Sequence, residues 1–390
     1  MPIIASDGLR AGSVQPPRIY NERVPLPVRR QVGQLVIGSL SAAAVSPGFR
    51  SLVRDFGMGG VTLFRRNIEG PEQVSDLSRE LRGLVRESPL WVAVDQEGGR
   101  VARLRAPFTE WPPMAALGRS GDDDLCGRFA RALAAELRAV GITLDYAPVL
   151  DVHTNPGNPI IGDRALSHDA ETVARIGTVI IRELQDAGIA ACGKHFPGHG
   201  DTSADSHLAL PVVDHPPDRI RRVECVPFAA ASRVGVAFMM TAHVLVPSLD
   251  EARPATLSRT IVEEMLRREI GFEGVILSDD LEMRALADGW PRGEAAVEAI
   301  KAGCDGVLLC RALTEERDRD LDAHAEVLEA LVHAVEDGRI PFARFEDAVR
   351  RQHQAKVRFL SGEAAPPRAW RTVVGSEAHQ RVSDEMREYA

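Results

Sequence analysis

The sequence predicts an α/β protein built as a closed (β/α)8 TIM barrel, and three observations carry that expectation. From about residue 31 onward, a short apolar run, a loop and an amphipathic stretch follow one another repeatedly. Several of the apolar runs are hydrophobic almost throughout, the pattern of parallel strands covered on both faces. Polar side chains gather where those runs end, which is the rim where barrel enzymes keep their reactive groups. At 390 residues the chain exceeds the usual domain size, yet barrels of about 250 residues or more form one domain. The expected organisation is a lead at 1–30, a catalytic barrel at 31–360 and a helical tail at 361–390.

The elements follow in order. Gln34 to Gly38 reads as strand one and Gly60 to Phe64 as strand two. Pro71 then opens a helix whose apolar positions Val74, Leu77, Leu81 and Leu84 recur every three to four residues and form one buried stripe. Trp91 to Asp95 is strand three, and Leu125 to Val140 is helical by the same spacing, with Leu125, Phe129, Leu133 and Leu137 aligned. Strand four is Leu144 to Val149, and its helix runs from about Ala170 to Asp186, with Gly188 as the stop. Gly188 to Gly193 is strand five, Val236 to Thr241 strand six, Gly274 to Ser278 strand seven and Cys304 to Leu309 strand eight. A doubly wound sheet would require a glycine-rich phosphate turn after strand one, and Gly38-Ser39-Leu40-Ser41 is not one. Beyond Arg311 the pattern is helical, broken between Gly362 and Trp370 by Pro366-Pro367, and it ends in a helix from Ser376 to Tyr389 that either packs on the barrel or links protomers.

Composition narrows the function. Hydrophobic residues make up 44% and charged residues 26%, which fits a globular protein with a large core. A net charge of -9 argues against a nucleic-acid partner, because such proteins concentrate basic charge. Arg344 to Arg351 is accordingly read as a solvated helix face. The lead has no apolar core of signal-peptide length, and no later segment approaches the roughly 18 apolar residues needed to span a bilayer. Five cysteines, odd in number and without a CxxC pair, argue against a disulfide framework and point to a reducing cytoplasm.

The strand ends carry the chemistry. Strand three ends in Asp95-Gln96-Glu97-Gly98-Gly99-Arg100, with Arg103 beyond. Strand four leads to Asp151 and Ile161-Gly162-Asp163-Arg164, and strand five to Lys194, His195, Asp205 and His207. Strand six contributes His243 and strand seven Ser278-Asp279-Asp280. Carboxylates, cations and imidazoles around one rim suit a small hydroxyl-rich ligand, since each hydroxyl can take a charge-assisted hydrogen bond. Asp279 and Asp280 read either as a strand end with a helix N-cap or as functional carboxylates. The company of the other polar ends favours function for Asp279 and structure for Asp280. The i, i+2 spacing of Asp205 and His207 allows a carboxylate to orient an imidazole for proton transfer. Lys194 and His195 are costly to bury without partners, which favours a ligand role. His199 and His243 are read as packing groups, and a metal site made of His195, His199, His207 and Asp201 is disfavoured by its irregular spacing.

Lys194-His195-Phe196-Pro197-Gly198-His199-Gly200-Asp201-Thr202, followed by Asp205-Ser206-His207, resembles the signature of the β-N-acetylglucosaminidases of glycoside hydrolase family 3, the enzymes of bacterial cell-wall recycling. Asp95 to Arg103, Ile161 to Arg164 and Ser278 to Met283 resemble that family's other motifs, in the same order. The resemblance spans roughly residues 31 to 355. It implies the barrel, a retaining mechanism, a small carbohydrate substrate, and no metal or other cofactor. Carried onto this sequence, it makes Asp279 the nucleophile and His207 the general acid/base held by Asp205. Asp95, Arg103, Arg164, Lys194 and His195 then grip the N-acetylglucosamine hydroxyls. Because a neutral imidazole does not repel an incoming anion, a phosphorylase releasing N-acetylglucosamine 1-phosphate is the alternative, and a sugar-binding protein without turnover is the third reading. The aglycone and the oligomeric state stay open at this stage.

Overall fold

The computed structural model describes residues 28–85, 87–203, 210–310, 320–362, 366 and 368–390. Eight short parallel strands close on themselves: β1 Val36–Ser39, β2 Gly60–Leu63, β3 Trp91–Val94, β4 Leu144–Asp145, β5 Ala190–Phe196, β6 Phe238–Thr241, β7 Val275–Asp280 and β8 Gly306–Leu308. Each pairs with its successor in sequence, and β8 returns to β1 with Val36 opposite Val307. This is the predicted (β/α)8 barrel.

Alternation along each strand divides the apolar residues between two layers, which is why the strands read as hydrophobic throughout. Ile37, Trp91, Ala93, Leu144, Phe238 and Leu277 fill the barrel interior, whereas Val36, Val92, Val94 and Ile276 face the surrounding helices. Trp91 meets Phe238 edge-on with ring centroids 5.2 Å apart, and the two block the end of the barrel where the strands begin. Gly60 makes room for this plug, since a Cβ there would stand 2.7 Å from the Trp91 Cβ.

The helices obey the predicted stripes. Pro71–Gly83 buries Val74, Leu77 and Leu81 and stops one residue short of the half-buried Leu84. Asp123–Ala139 is capped by Asp122, and Ala170–Asp186 by Asp169, whose carboxylate accepts the Thr172 N–H at 2.8 Å. The strand ends that differ most from expectation are those of β4 and β5, while β7 runs on two residues to Asp280. β4 stops at Asp145 rather than Val149 because Pro148 brings no N–H to the ladder, leaving the Ala147 and Pro148 carbonyls to accept from Cys192 (2.9 Å) and Lys194 (3.2 Å). β5 continues to Phe196, so Lys194 and His195 lie within the strand.

The run Arg344 to Arg351 is a solvated face only in part: Arg350 is exposed, but Arg344 and Arg351 are not. Arg344 pairs with the fully buried Asp305, and Arg344 and Arg351 both contact Asp347, leaving each only 15% exposed. The final helix, Glu377–Arg387, packs on the protein's own Asp123–Ala139 helix. Arg128 grips Glu385 through two bonds of 2.6 and 2.8 Å, and the buried Glu136 accepts from the Gly375 N–H and faces His379 Nδ1, both at 2.9 Å. Among the described residues no helix is long and apolar enough to cross a membrane, and all five cysteines are free and buried.

Candidate active site

At the C-terminal ends of the strands the charges form an alternating array. Asp95 follows β3, and the chain then turns through a small hairpin, Gln96–Gly98 with Val101–Ala102. The Gln96 side chain locks that turn. Its oxygen accepts the Arg103 and Leu104 N–H groups, both at 2.9 Å, and its nitrogen donates to the Leu104 carbonyl at 3.0 Å. Lys194, projecting from β5, places Nζ 2.8 Å from Asp95 Oδ1 and 2.6 Å from Glu97 Oε1. Arg103 reaches Asp95 Oδ2 at 3.2 Å, and Arg164 holds Glu97 through two bonds of 2.9 and 2.8 Å.

The sequence Arg103, Asp95, Lys194, Glu97, Arg164 therefore sets two carboxylates among three cations. Burial alone would raise the carboxyl groups, but Lys194 and Arg103 hold Asp95 far below the usual range. Arg164 and Lys194 likewise hold Glu97 at about 2. Burial works against the Lys194 ammonium, and Asp95 and Glu97 more than reverse it. Asp95, Glu97, Lys194 and Arg164 all stay charged at neutral pH. Asp145, fully buried beside it, behaves differently. Burial pushes its carboxyl well above the usual range despite the Gln96 N–H it accepts at 3.0 Å.

His195 is held by Asp151, whose Oδ2 lies 2.6 Å from Nδ1 and whose carboxylate also accepts the His195 (3.2 Å) and His199 (2.6 Å) backbone N–H groups. Nε2 is thus the ring nitrogen that Asp151 does not engage. His199 sits 2.6 Å from Thr202 Oγ1, and burial together with the His195 ring lowers it to about 4, so it is neutral. Asp279 is the last residue but one of β7, its Oδ1 accepting the Asp280 N–H at 2.8 Å. Asp280 is structural, accepting the Cys310 and Glu282 N–H groups at 3.0 and 3.2 Å. Neither carboxylate caps a helix, for the next one begins at Arg284 with Met283 before it. His243 is a packing residue bonded to Thr256 Oγ1 and the Asp280 carbonyl.

Asp95, Arg103, Arg164, Lys194, His195 and Asp279 line one hollow with about 750 Å³ of empty space, part of it open to solvent, and Phe64, Tyr146 and Met240 supply apolar wall. The structure thus brings together six of the eight residues singled out in the sequence. Asp205 and His207 lie outside the described residues. Two carboxylates that the sequence places at strand ends but gives no role hold the others in place. Glu97 has the signal of an i+2 position from Asp95, and Asp151 that of a polar residue just past strand four. Among the described residues no group of three or more His, Cys, Asp or Glu side chains is placed to hold a metal ion.

Comparisons with known proteins agree with this geometry. Residues 27–355 match the model of the glycosyl hydrolase family 3 N terminal domain. The chain is 42% identical over 259 residues to a beta-hexosaminidase of Thiobacillus denitrificans, covering 65% of this chain and 71% of that protein. It is 40% identical over 284 residues to a beta-hexosaminidase of Neisseria meningitidis, covering 71% and 78%. A solved glycoside hydrolase family 3 beta-N-acetylglucosaminidase from Paenibacillus sp. aligns with a TM-score of 0.88 at 41% identity, over 94% of this chain and 69% of that one. NagZ from Neisseria gonorrhoeae, in complex with N-trifluoroacetyl-D-glucosamine, aligns with a TM-score of 0.73 at 34% identity, over 91% and 98%. On sequence and architecture alike, the chain belongs to glycosyl hydrolase family 3.

Proposed function

We propose that the protein is a retaining β-N-acetylglucosaminidase that removes terminal non-reducing β-linked N-acetylglucosamine, with cytoplasmic cell-wall muropeptides as its substrate class. The observation that carries this reading is that Asp279 lines the same hollow as Asp95, Arg103, Arg164, Lys194 and His195, with Glu97 behind them. Such an array offers donors and acceptors of fixed charge to sugar hydroxyls and needs no reorganisation when a substrate arrives. The sugar-binding roles fall to Asp95, Arg103, Arg164, Lys194 and His195. Glu97 and Asp151 hold three of them in position.

In the first half-reaction Asp279 attacks the anomeric carbon and forms a glycosyl-enzyme, while His207 gives its proton to the departing oxygen. In the second, His207 takes a proton from the water that releases the sugar. Asp205 orients the ring and favours its protonated form in the first step. The use of an imidazole where most glycosidases place a carboxylic acid distinguishes this reading from the usual pair. Support comes from the relatives named beta-hexosaminidase and from the N-acetylglucosamine analogue bound to NagZ. The test is hydrolysis of an aryl N-acetyl-β-glucosaminide beside the aryl β-glucoside. Turnover of the first at least about 100-fold faster is expected, and equal turnover would refute the assignment. The same assay with and without inorganic phosphate identifies the released product as free sugar or sugar phosphate.

A further inference from the structure

The hairpin that follows β3 holds Arg164 at two points. Its own tip is fixed. The Gly99 N–H donates to the Trp111 carbonyl at 2.8 Å, Arg105 donates to the Gly99 carbonyl at 3.1 Å, and a Cβ on Gly98 would stand 2.8 Å from the Pro112 carbonyl oxygen. Glu97, from the first strand of the hairpin, takes the Arg164 guanidinium. Arg100, from its turn, takes the backbone ahead of Arg164. Its Nη2 donates to the Ile160 carbonyl and, at 3.3 Å, to the Ile161 carbonyl, while Nε stands 3.5 Å from Asp163 Oδ1. Between those contacts the guanidinium passes over Gly162, at φ +48°, where a Cβ would stand 4.0 Å from Nη2. The Ile160 carbonyl also accepts from Arg164 Nη1 at 3.1 Å, so one oxygen joins the two arginines. On its other flank the loop is held by Asn158. The Asn158 Oδ1 accepts the Ile160 and Ile161 N–H groups at 2.8 and 2.9 Å, and its Nδ2 donates to the His199 carbonyl at 2.8 Å.

We infer that Arg100 is a positioning residue for the sugar grip, fixing the 160–164 loop so that Arg164 meets the substrate in one orientation. This rests on the reading of Arg164 as a sugar-binding residue. Glu97 fixes the far end of the Arg164 side chain but not the backbone that carries it, and a long side chain has rotamers to spare. Arg100 supplies the second point. A planar guanidinium can span two carbonyls and a carboxylate at once, which a lysine ammonium cannot. Ile160 lines the hollow beside Arg164, so a loop released at its carbonyl would shift the apolar wall and the cation together. The side chains of Arg100 and Asp163 are 47% and 52% exposed, a setting in which an ion pair adds little stability. Arg100 is not among the residues lining the hollow, so it acts through Arg164 and is not a catalytic residue.

The test is a double-mutant cycle on kcat/KM for an aryl N-acetyl-β-glucosaminide, with Arg100→Ala made in the parent and in Arg164→Met. Arg100→Ala is expected to lower kcat/KM about tenfold in the parent and less than about twofold in Arg164→Met. Its Tm should stay within about 2 °C of the parent's. Equal losses in the two backgrounds would show that Arg100 does not act through Arg164. That result, or no loss in the parent, would overturn the inference. Arg164→Met alone keeps the two questions apart. If it turns over substrate as the parent does, the sugar-binding reading of Arg164 falls and the role of Arg100 with it. If it loses activity and the cycle is additive, that reading stands and only the positioning role falls. Arg100→Lys keeps a charge beside Asp163 without spanning both carbonyls, and is expected to lose about threefold in the parent and nothing in Arg164→Met. It decides the matter should Arg100→Ala fail to fold.

Discussion

Two lysines, equally buried at opposite ends of the barrel, behave in opposite ways. Lys194 and Lys356 are 2% and 1% exposed. Lys194, at the C-terminal rim, lies between two carboxylates, and its ammonium is held charged. Lys356, from the helix Phe342–Leu360, lies beneath the start of β1, where its partners among the described residues are the neutral Gln34 Oε1 at 2.7 Å and Ser88 Oγ at 3.4 Å. Burial lowers it to about 7. Burial costs both ions their water, and only the rim repays that loss with opposite charge. Charge is thus maintained at the rim, where opposite charges meet, and is marginal at the base, where the partners among the described residues are neutral.

Substitutions should separate the two ends, and the largest effect is expected at the rim carboxylate outside the array. Asp279→Ala should reduce kcat/KM by about 10⁴-fold or more on chitobiose and on aryl glycosides alike, because no glycosyl-enzyme forms whatever the leaving group. Steady-state kinetics on both substrates checks it, and a loss confined to chitobiose would reassign the nucleophile. Lys194→Met leaves Asp95 and Glu97 buried with one cation fewer. We expect activity to fall by about 100-fold and stability by about 3–5 kcal/mol, the usual penalty for breaking a buried pair from one side. Denaturant unfolding beside the activity assay measures both.

Acid sharpens the contrast. Glu97 is held at about 2 against an ordinary value of 4.5. A depressed carboxyl stabilises the fold above the unfolded value, and that stability is lost as pH falls from 4.5 through about 2. Thermal unfolding across that window should show the loss in the parent protein, and less of it in Lys194→Met. The smallest effect is expected at Lys356→Met. The unfolded state binds the lysine proton up to its ordinary 10.5, so the parent gains stability as pH rises from about 7 to 10.5. The Met variant has no such slope, and Gln34 Oε1 keeps the Ser88 hydroxyl at 2.6 Å. Its Tm should exceed the parent's by about 2 °C or more at pH 6, the gap should shrink by pH 10, and kcat should be unchanged. A Tm fall at pH 6 would show that the lysine stabilises the base.

The contrast also explains what the sequence reveals and what it conceals. Strands are legible because both of their faces are apolar, so each announces itself without reference to a partner. Their ends depend on distant chemistry. β5 runs on through Lys194 because Asp95 and Glu97, about a hundred residues earlier, neutralise it, and β4 stops early because Pro148 lacks a donor. The array members Asp95, Arg103, Arg164 and Lys194 are legible as polar residues past apolar runs, and the resemblance gives them roles. Glu97 and Asp151 act by holding other residues, and their partners lie 67 and 44 positions away. Arg344 misleads for the same reason, since its partner Asp305 is 39 positions upstream.

Glu136 ties the chain's end to its working face. Oε2 of this buried carboxylate accepts the Thr109 N–H at 3.0 Å, six residues beyond Arg103, while Oε1 accepts the Thr109 hydroxyl at 2.6 Å and the Gly375 N–H and faces His379 Nδ1. A fragment ending near residue 362, where the helical pattern breaks, would be a poor minimal domain. It would strip a water-excluded acid of two of its four contacts and loosen the stretch that follows the hairpin. Residues 375–390 are therefore better understood as the closing stitch of the barrel than as a trailing appendage.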